Sequence, residues 1–285
     1  MNLIQSISSS LLGHTVQNSA HPMPRARTIH AMPSPSICSG ARALYLGPAT
    51  AKSASATADA LVISSALAAT QRYPVARLAR VVSSITVNWS GCALALCLVR
   101  GISIAWLDSH GQVIGAAIPQ KRGHISASTA LQVLLDGPSG LQHYNDWLRS
   151  RRMQVFQHWL GTQDAPLSFQ AANEIKRSWV YASQHSVHLP TTLRGLCLAY
   201  VSAQLAHHCL PPVMWAGDAQ PIDLDEDLCS LLWSEMNLCS GNLANALRHQ
   251  QSEVSLFESW SARNASALLL HINSLQRCAQ RALQE

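Results

Sequence analysis

The chain has little charge. Lys, Arg, Asp and Glu together make up 12% of its 285 residues, against a usual share of roughly 25%. Apolar residues reach 48%, ample for a packed core. No apolar run attains the roughly 18 residues needed to span a bilayer. The longest candidate, residues 92–99, stops at Arg100, so no membrane association is expected. Eight cysteines are present, but none forms a Cys-x-x-Cys pair, which argues against a thiolate zinc site. Most of them sit in apolar runs, where a reduced cysteine behaves as a small hydrophobe. A reducing, cytoplasmic compartment is the expectation. No basic residue precedes the weakly apolar start of residues 1–10, so a signal peptide is not expected. Aromatics are few apart from eight Trp, and no internal repeat is visible.

What is present is an ordered change of pattern along the chain. Residues 1–40 are rich in Ser, Pro, His and Ala without a period, which predicts a disordered, low-complexity leader. Residues 43–46, 60–64 and 81–84 are short apolar runs suited to strands. Residues 90–99 read as a helix, with Ser90 as N-cap and Gly101 closing it. Residues 102–107 read as a strand, Asp108-Ser109-His110-Gly111 as a hairpin turn, and residues 113–118 as the return strand. A polar, basic linker covers residues 119–127. Apolar residues then recur at helical spacing, in segments such as 141–160, 191–209, 227–247 and 253–283. The expected fold class is α+β: a small β-rich domain with one helix over residues 41–118, then a larger all-helical domain over residues 128–285.

Charge is unevenly divided. Residues 1–165 carry 13 Lys+Arg against 5 Asp+Glu, and residues 166–285 carry 7 against 10. A basic first half suits an anionic partner such as nucleic acid, or is simply a modestly basic surface. The densest basic cluster is Lys121, Arg122, Arg149, Arg151 and Arg152, flanked by Trp147 and Trp159.

Four stretches carry a family resemblance. Arg42-Ala43-Leu44-Tyr45-Leu46 looks like a first strand. Residues 74–82, PVARLARVV, resemble a "P-L-x-R-L-x-x-V-V" strand entry. Residues 100–108, RGISIAWLD, with residues 111–115, GQVIG, resemble "R-G-I-P-V-x-F-L-x-x-x-G-x-x-x-G". Cys209-Leu210-Pro211-Pro212 with Asp227-Leu228 resembles "G-L-x-P … D-L-x-E". Together, over about residues 42–250, the chain resembles the CRISPR adaptation integrase, the metal-dependent DNA endonuclease that inserts new spacers, as a divergent or degenerate member.

The resemblance implies a β domain that forms a homodimer and a helical domain that holds Mg²⁺ or Mn²⁺. It also implies double-stranded DNA as partner, both spacer precursor and CRISPR repeat, together with a small ferredoxin-like companion protein. Phosphodiester transfer uses a divalent metal to polarise the phosphoryl oxygen and offset developing charge. The family's ligands are a Glu, a His and a final Asp or Glu. Glu174, followed by Arg177 and Tyr181, is the counterpart of the first; its alternative is a solvated residue paired with Arg177. Asp218 stands where the His belongs, as a carboxylate ligand or as a turn residue beside Gly217. Aligned on Asp223-Leu224 the last ligand is Glu226; aligned on Asp227-Leu228 that position is Ser230, and the acidic cluster, Glu226 and Asp227 included, offers ligand oxygens in either register; alternatively, the acidic run opens a helix. The basic cluster would face DNA. A catalytically inactive DNA-binding or scaffold paralogue, and an unrelated α+β protein, are the competing expectations.

Overall fold

The computed structural model describes residues 41–65, 68–119, 126–163, 167–181, 189–208, 210, 222–238 and 252–282. The expected leader over residues 1–40 lies outside them. Strands come first and helices afterwards, so the fold class is α+β. The strands are β1 (Arg42–Leu46), β2 (Ser53–Ala56), β3 (Ala60–Ser64), β4 (Gln71–Pro74), β5 (Leu78–Ser84), β6 (Asn88–Trp89), β7 (Ser103–Leu107) and β8 (Val113–Ala117). Helix α1 (Gly91–Val99) lies between β6 and β7. The helices that follow are α2 (Ser126–Asp136), α3 (Gly140–Gly161), α4 (Phe169–Lys176), α5 (Thr191–His207), α6 (Leu224–Leu238) and α7 (Glu253–Ala282). A π-helical turn, Arg177–Tyr181, continues α4.

Two four-stranded sheets form. The first has the order β1-β5-β7-β8, with β1, β5 and β7 parallel and β8 antiparallel at one edge. The second has the order β4-β3-β2-β6. β2, β4 and β6 read SASA, QRYP and NW, without an apolar run, so apolar patterning alone does not mark them.

Local chemistry sets α1 and the β7–β8 turn. Ser90 Oγ accepts from Ala93 N at 3.2 Å and caps α1. At the other end Gly101 takes φ +77°. There Gly101 N donates to Leu98 O and Ile102 N to Cys97 O, at 3.1 and 2.8 Å, a paired closure of the last helical turn. In the hairpin, Asp108 Oδ1 accepts from His110 N and Gln112 N, each at 2.8 Å. Gly111, also at φ +77°, completes the turn.

Side chains alternate across the first sheet. Leu44, Leu46, Val81 and Ile104 pack with Leu61, Ile63, Ala93 and Cys97 in one core. Val82, Ala105 and Leu107 pack on the opposite face with the helices. There α5 supplies Leu193, Leu196, Val201 and Leu205, each buried to 1% exposure or less and each contributing about 2 kcal/mol of apolar burial. α6 adds Leu228 and Leu232, and α7 adds Phe257, Leu268 and Ile272.

Two contacts join sheet to helices closely. Thr191 Oγ1 donates to His110 O at 3.1 Å. One turn along α5, Gly195 lies so near the hairpin that a Cβ there would stand 1.8 Å from Gly111 O. Elsewhere Arg80 of β5 reaches α7. Its Nη2 contacts Glu258 Oε1 and donates to Tyr45 Oη at 3.2 Å. Its guanidinium lies 4.9 Å from the Tyr200 ring centroid and 5.9 Å from that of Phe257, a cation over aromatic faces. Among the described residues no helix is long and apolar enough to cross a membrane.

Candidate functional site

The acidic start of α6 is the most highly charged place in the helical part. Asp223 Oδ1 accepts from Glu226 N at 3.3 Å, so Asp223 caps the helix. Asp225, Glu226 and Asp227 fill its first turn, where the helix dipole favours carboxylates. Each of the three then turns to a different neighbour. Ser202 Oγ of α5 donates to Asp225 Oδ2 at 3.4 Å. Glu226 pairs with Arg194, also on α5. Tyr144 Oη of α3 donates to Asp227 Oδ2 at 2.8 Å, while Arg152 Nη2 stands 3.8 Å from Asp227 Oδ1.

Burial dominates the protonation chemistry. Asp225 is pushed up to about 7, first by burial and then by the neighbouring Asp223 carboxyl. Burial also raises Asp227, although Tyr144 and Arg152 pull it back. Tyr144 is raised well above the usual phenol value by burial and by Asp227. Arg152 is lowered by burial, with Asp227 opposing.

A stability signature follows for Asp225. Its folded pKa, about 7, lies above the ordinary carboxyl value of about 3.9. The protonated form therefore favours the fold. Its contribution is full below about pH 4 and is lost as pH rises through about 7, at no more than about 1.4 kcal/mol per pH unit. Melting temperature measured from pH 5 to pH 8 should fall in the wild type. Asp225→Asn, which still accepts from Ser202, should flatten that fall; an unchanged slope would remove Asp225 as its source.

Of the other expected ligands, one lies on α4 and one outside the described residues. Glu174 is exposed on α4 and has no ion pair among the described residues, so the alternative pairing with Arg177 does not form. The chain winds into the π-helical turn at Arg177. Asp218, Lys121 and Arg122 lie outside the described residues. Among the described residues no group of three or more His, Cys, Asp or Glu side chains is arranged to hold a metal ion. Among the described residues Glu226 is matched to Arg194, and Asp227 to Arg152 and Tyr144.

The three α3 arginines point in three directions. Arg149 is exposed beside Asp146, Nη1 to Oδ1 3.0 Å. Arg152 meets α6 through Asp227. Arg151 is 7% exposed and faces α7. Its Nε donates to His271 Nδ1 at 2.8 Å. Because arginine only donates, the His271 proton sits on Nε2. That Nε2 donates to Glu235 Oε1 of α6 at 3.1 Å. Neither this Arg–His–Glu chain nor the Arg80–Glu258 contact stands out in sequence, since the partners are 120 and 178 residues apart.

Comparison with known proteins gives a consistent picture. A family model described as "CRISPR associated protein Cas1" matches residues 50–154. No curated protein matches the chain. A CAS1 protein from Thermotoga maritima is similar in structure with a TM-score of 0.66 at 12% identity, covering 86% of this chain and 98% of that one. The chain is also similar to part of a Cas6-RT-Cas1–Cas2 complex, with a TM-score of 0.52 at 14% identity, covering 86% of this chain and 35% of that one. At these identities the likeness is one of fold, while the family model supplies the sequence match. Over residues 50–154 the chain thus matches the CRISPR associated protein Cas1 family model, and its fold is similar to that of a CAS1 protein.

Proposed function

We propose that the protein works in CRISPR adaptation as an integrase-class subunit that binds double-stranded DNA, both spacer precursor and repeat. The observation that carries this reading is the Cas1 family match over residues 50–154, set in a fold that follows a Cas1 protein over 86% of the chain. The basic excess of the first 165 residues supports a polyanionic partner. Lys121, Arg122, Arg149, Arg151 and Arg152 are the candidate contacts, of which Arg149 is exposed. A homodimer through the β-rich part and a small ferredoxin-like companion complete the proposed assembly.

The family's activity is metal-dependent endonuclease and strand-transfer chemistry, with Mg²⁺ or Mn²⁺ polarising the phosphoryl oxygen. Glu174 and Asp218 are the candidate ligands through which it would run here. Glu226 and Asp227 are matched to other side chains, and no reaction step is placed on them. Their pairing to Arg194, Arg152 and Tyr144 favours a second reading, a DNA-binding member that does not itself cut.

The test is a nicking and integration assay with Mn²⁺ and Mg²⁺ beside a duplex-binding titration. Asp227→Asn and Glu226→Gln are expected to cost roughly 1–2 kcal/mol of stability through lost charged hydrogen bonds, leaving DNA affinity within about twofold. Loss of metal-dependent cleavage in Asp227→Asn at an unchanged melting temperature would return Asp227 to the metal. Cleavage lost in Glu174→Ala and Asp218→Ala would establish the endonuclease. A wild-type chain that does not bind duplex DNA would sink both readings.

A further inference from the structure

A cleft of about 570 Å³ opens between α3 and α7, with Leu134 of α2 at its edge. Two helical stripes face each other across it. From α3 come Trp147, Arg151 and Gln154, and from α7 come Ser274, Arg277 and Arg281. Each stripe recurs at three- or four-residue steps, which keeps its members on one face. The floor is fixed by Trp147, whose Nε1 donates to Ser274 Oγ at 3.2 Å, and by Arg151. The Arg151 guanidinium spends Nε on His271 and Nη1 on Gln154, leaving Nη2 without a protein partner among the described residues.

The charge balance here is unusual for a chain so poor in charge. Arg277 and Arg281 are exposed and have no ion-pair partner among the described residues. Among the described residues Asp146 is the one carboxylate lining the cleft, and it is paired with Arg149. Burial disfavours the Arg151 charge, Glu235 opposes this, and Arg277 adds a smaller like-charge repulsion. Three guanidiniums thus border one concave space with a single, already engaged carboxylate. Forked N–H donors in that arrangement suit phosphate oxygens. Trp147 is 7% exposed, too deeply set to offer a broad stacking face, so the cleft favours a backbone over bases.

We propose that the α3–α7 cleft seats the phosphodiester backbone of a DNA strand, with Arg277 and Arg281 as direct phosphate contacts and Arg151 as the fixed cation at its floor. This rests on the reading that the chain binds DNA. It adds a binding surface on the last helix, remote in sequence from the Lys121–Arg152 cluster.

The experiment is a fluorescence-anisotropy titration of a labelled DNA duplex over a series of salt concentrations. Wild type, the double variant Arg277→Ser/Arg281→Ser and Arg149→Ser are compared. Both replaced α7 side chains are exposed, so the double variant should keep its melting temperature. Its salt slope is expected to fall by about 2, one for each phosphate contact removed. An unchanged slope, with Arg149→Ser still weakening binding, would overturn the cleft and leave the DNA reading standing. No duplex binding by the wild type would remove that reading and the cleft with it. A parallel calorimetric titration with inorganic phosphate separates the two sources of phosphate. Saturable phosphate binding lost in the double variant, with no change in the DNA slope, would make the cleft a small-anion site and overturn the strand placement.

Discussion

Gly195→Ala is expected to lower the melting temperature by about 6–12 °C, the equivalent of about 3 kcal/mol in a chain of this size. A methyl group on this helix is ordinarily stabilising, because alanine favours helix over glycine by about 1 kcal/mol. Here the added Cβ would stand 1.8 Å from Gly111 O and 3.0 Å from Gly111 C, both backbone atoms of the β7–β8 turn. A flexible side chain could move aside, but this turn is tied down. Asp108 holds two of its amides, Thr191 holds His110 O, and Gly111 is at φ +77°. Relief therefore requires α5 to shift away from the sheet, opening the apolar layer around Leu107, Leu193 and Leu196. Gly161→Ala, at the end of α3, supplies the control: its Cβ meets nothing within 4 Å, so the change should be neutral or mildly stabilising. Thermal melts of the two variants side by side decide the matter. Equal melting temperatures would mean that α5 does not press on the hairpin.

Glu258→Ala should cost a similar amount, about 3 kcal/mol, for an electrostatic reason. Arg80 has a side chain only 9% exposed, and its Nε is buried without a partner among the described residues. Glu258 is the carboxylate that balances it; Tyr45 gives the guanidinium only a neutral oxygen, and Tyr200 and Phe257 give it ring faces. Removing the carboxylate leaves a nearly buried cation between sheet and helices. Glu258→Gln keeps an oxygen acceptor and should lose less, about half as much. The pair Arg80→Met with Glu258→Leu should recover much of the loss, because two apolar groups need no countercharge. Urea unfolding midpoints across the four proteins measure this directly. A Glu258→Ala midpoint equal to the wild type would show that solvent already neutralises Arg80.

Much of the fold is legible in the chain because local signals agree. Ser90, Gly101, Asp108 and Gly111 are caps and turn residues whose chemistry acts within four residues, and each acts as its position in the sequence implies. β2, β4 and β6 are not legible, since strands without an apolar run are defined by their pairing partners rather than by an apolar pattern. At the candidate site, sequence identifies the acidic run and the basic run but not their relation. The position of Asp227 at the start of a helix is readable. That Tyr144, 83 residues earlier, and Arg152 would hold it is a property of α3 packing against α6. Likewise Arg151 reads as one of a cluster of cations facing DNA, and only the meeting of α3 with α7 turns it inward to His271.

The alternation along β5 and β7 has a thermodynamic consequence. Val81 and Ile104 serve the core shared with the second sheet, while their chain neighbours Val82 and Ala105 serve the core shared with the helices. The first sheet is thus a party wall between two hydrophobic rooms, and neither can be emptied without exposing one face of it to water. Amide hydrogens of β5 and β7 should exchange only through global opening, with the slowest rates in the molecule. The strand half and the helical half should melt in one calorimetric transition rather than two.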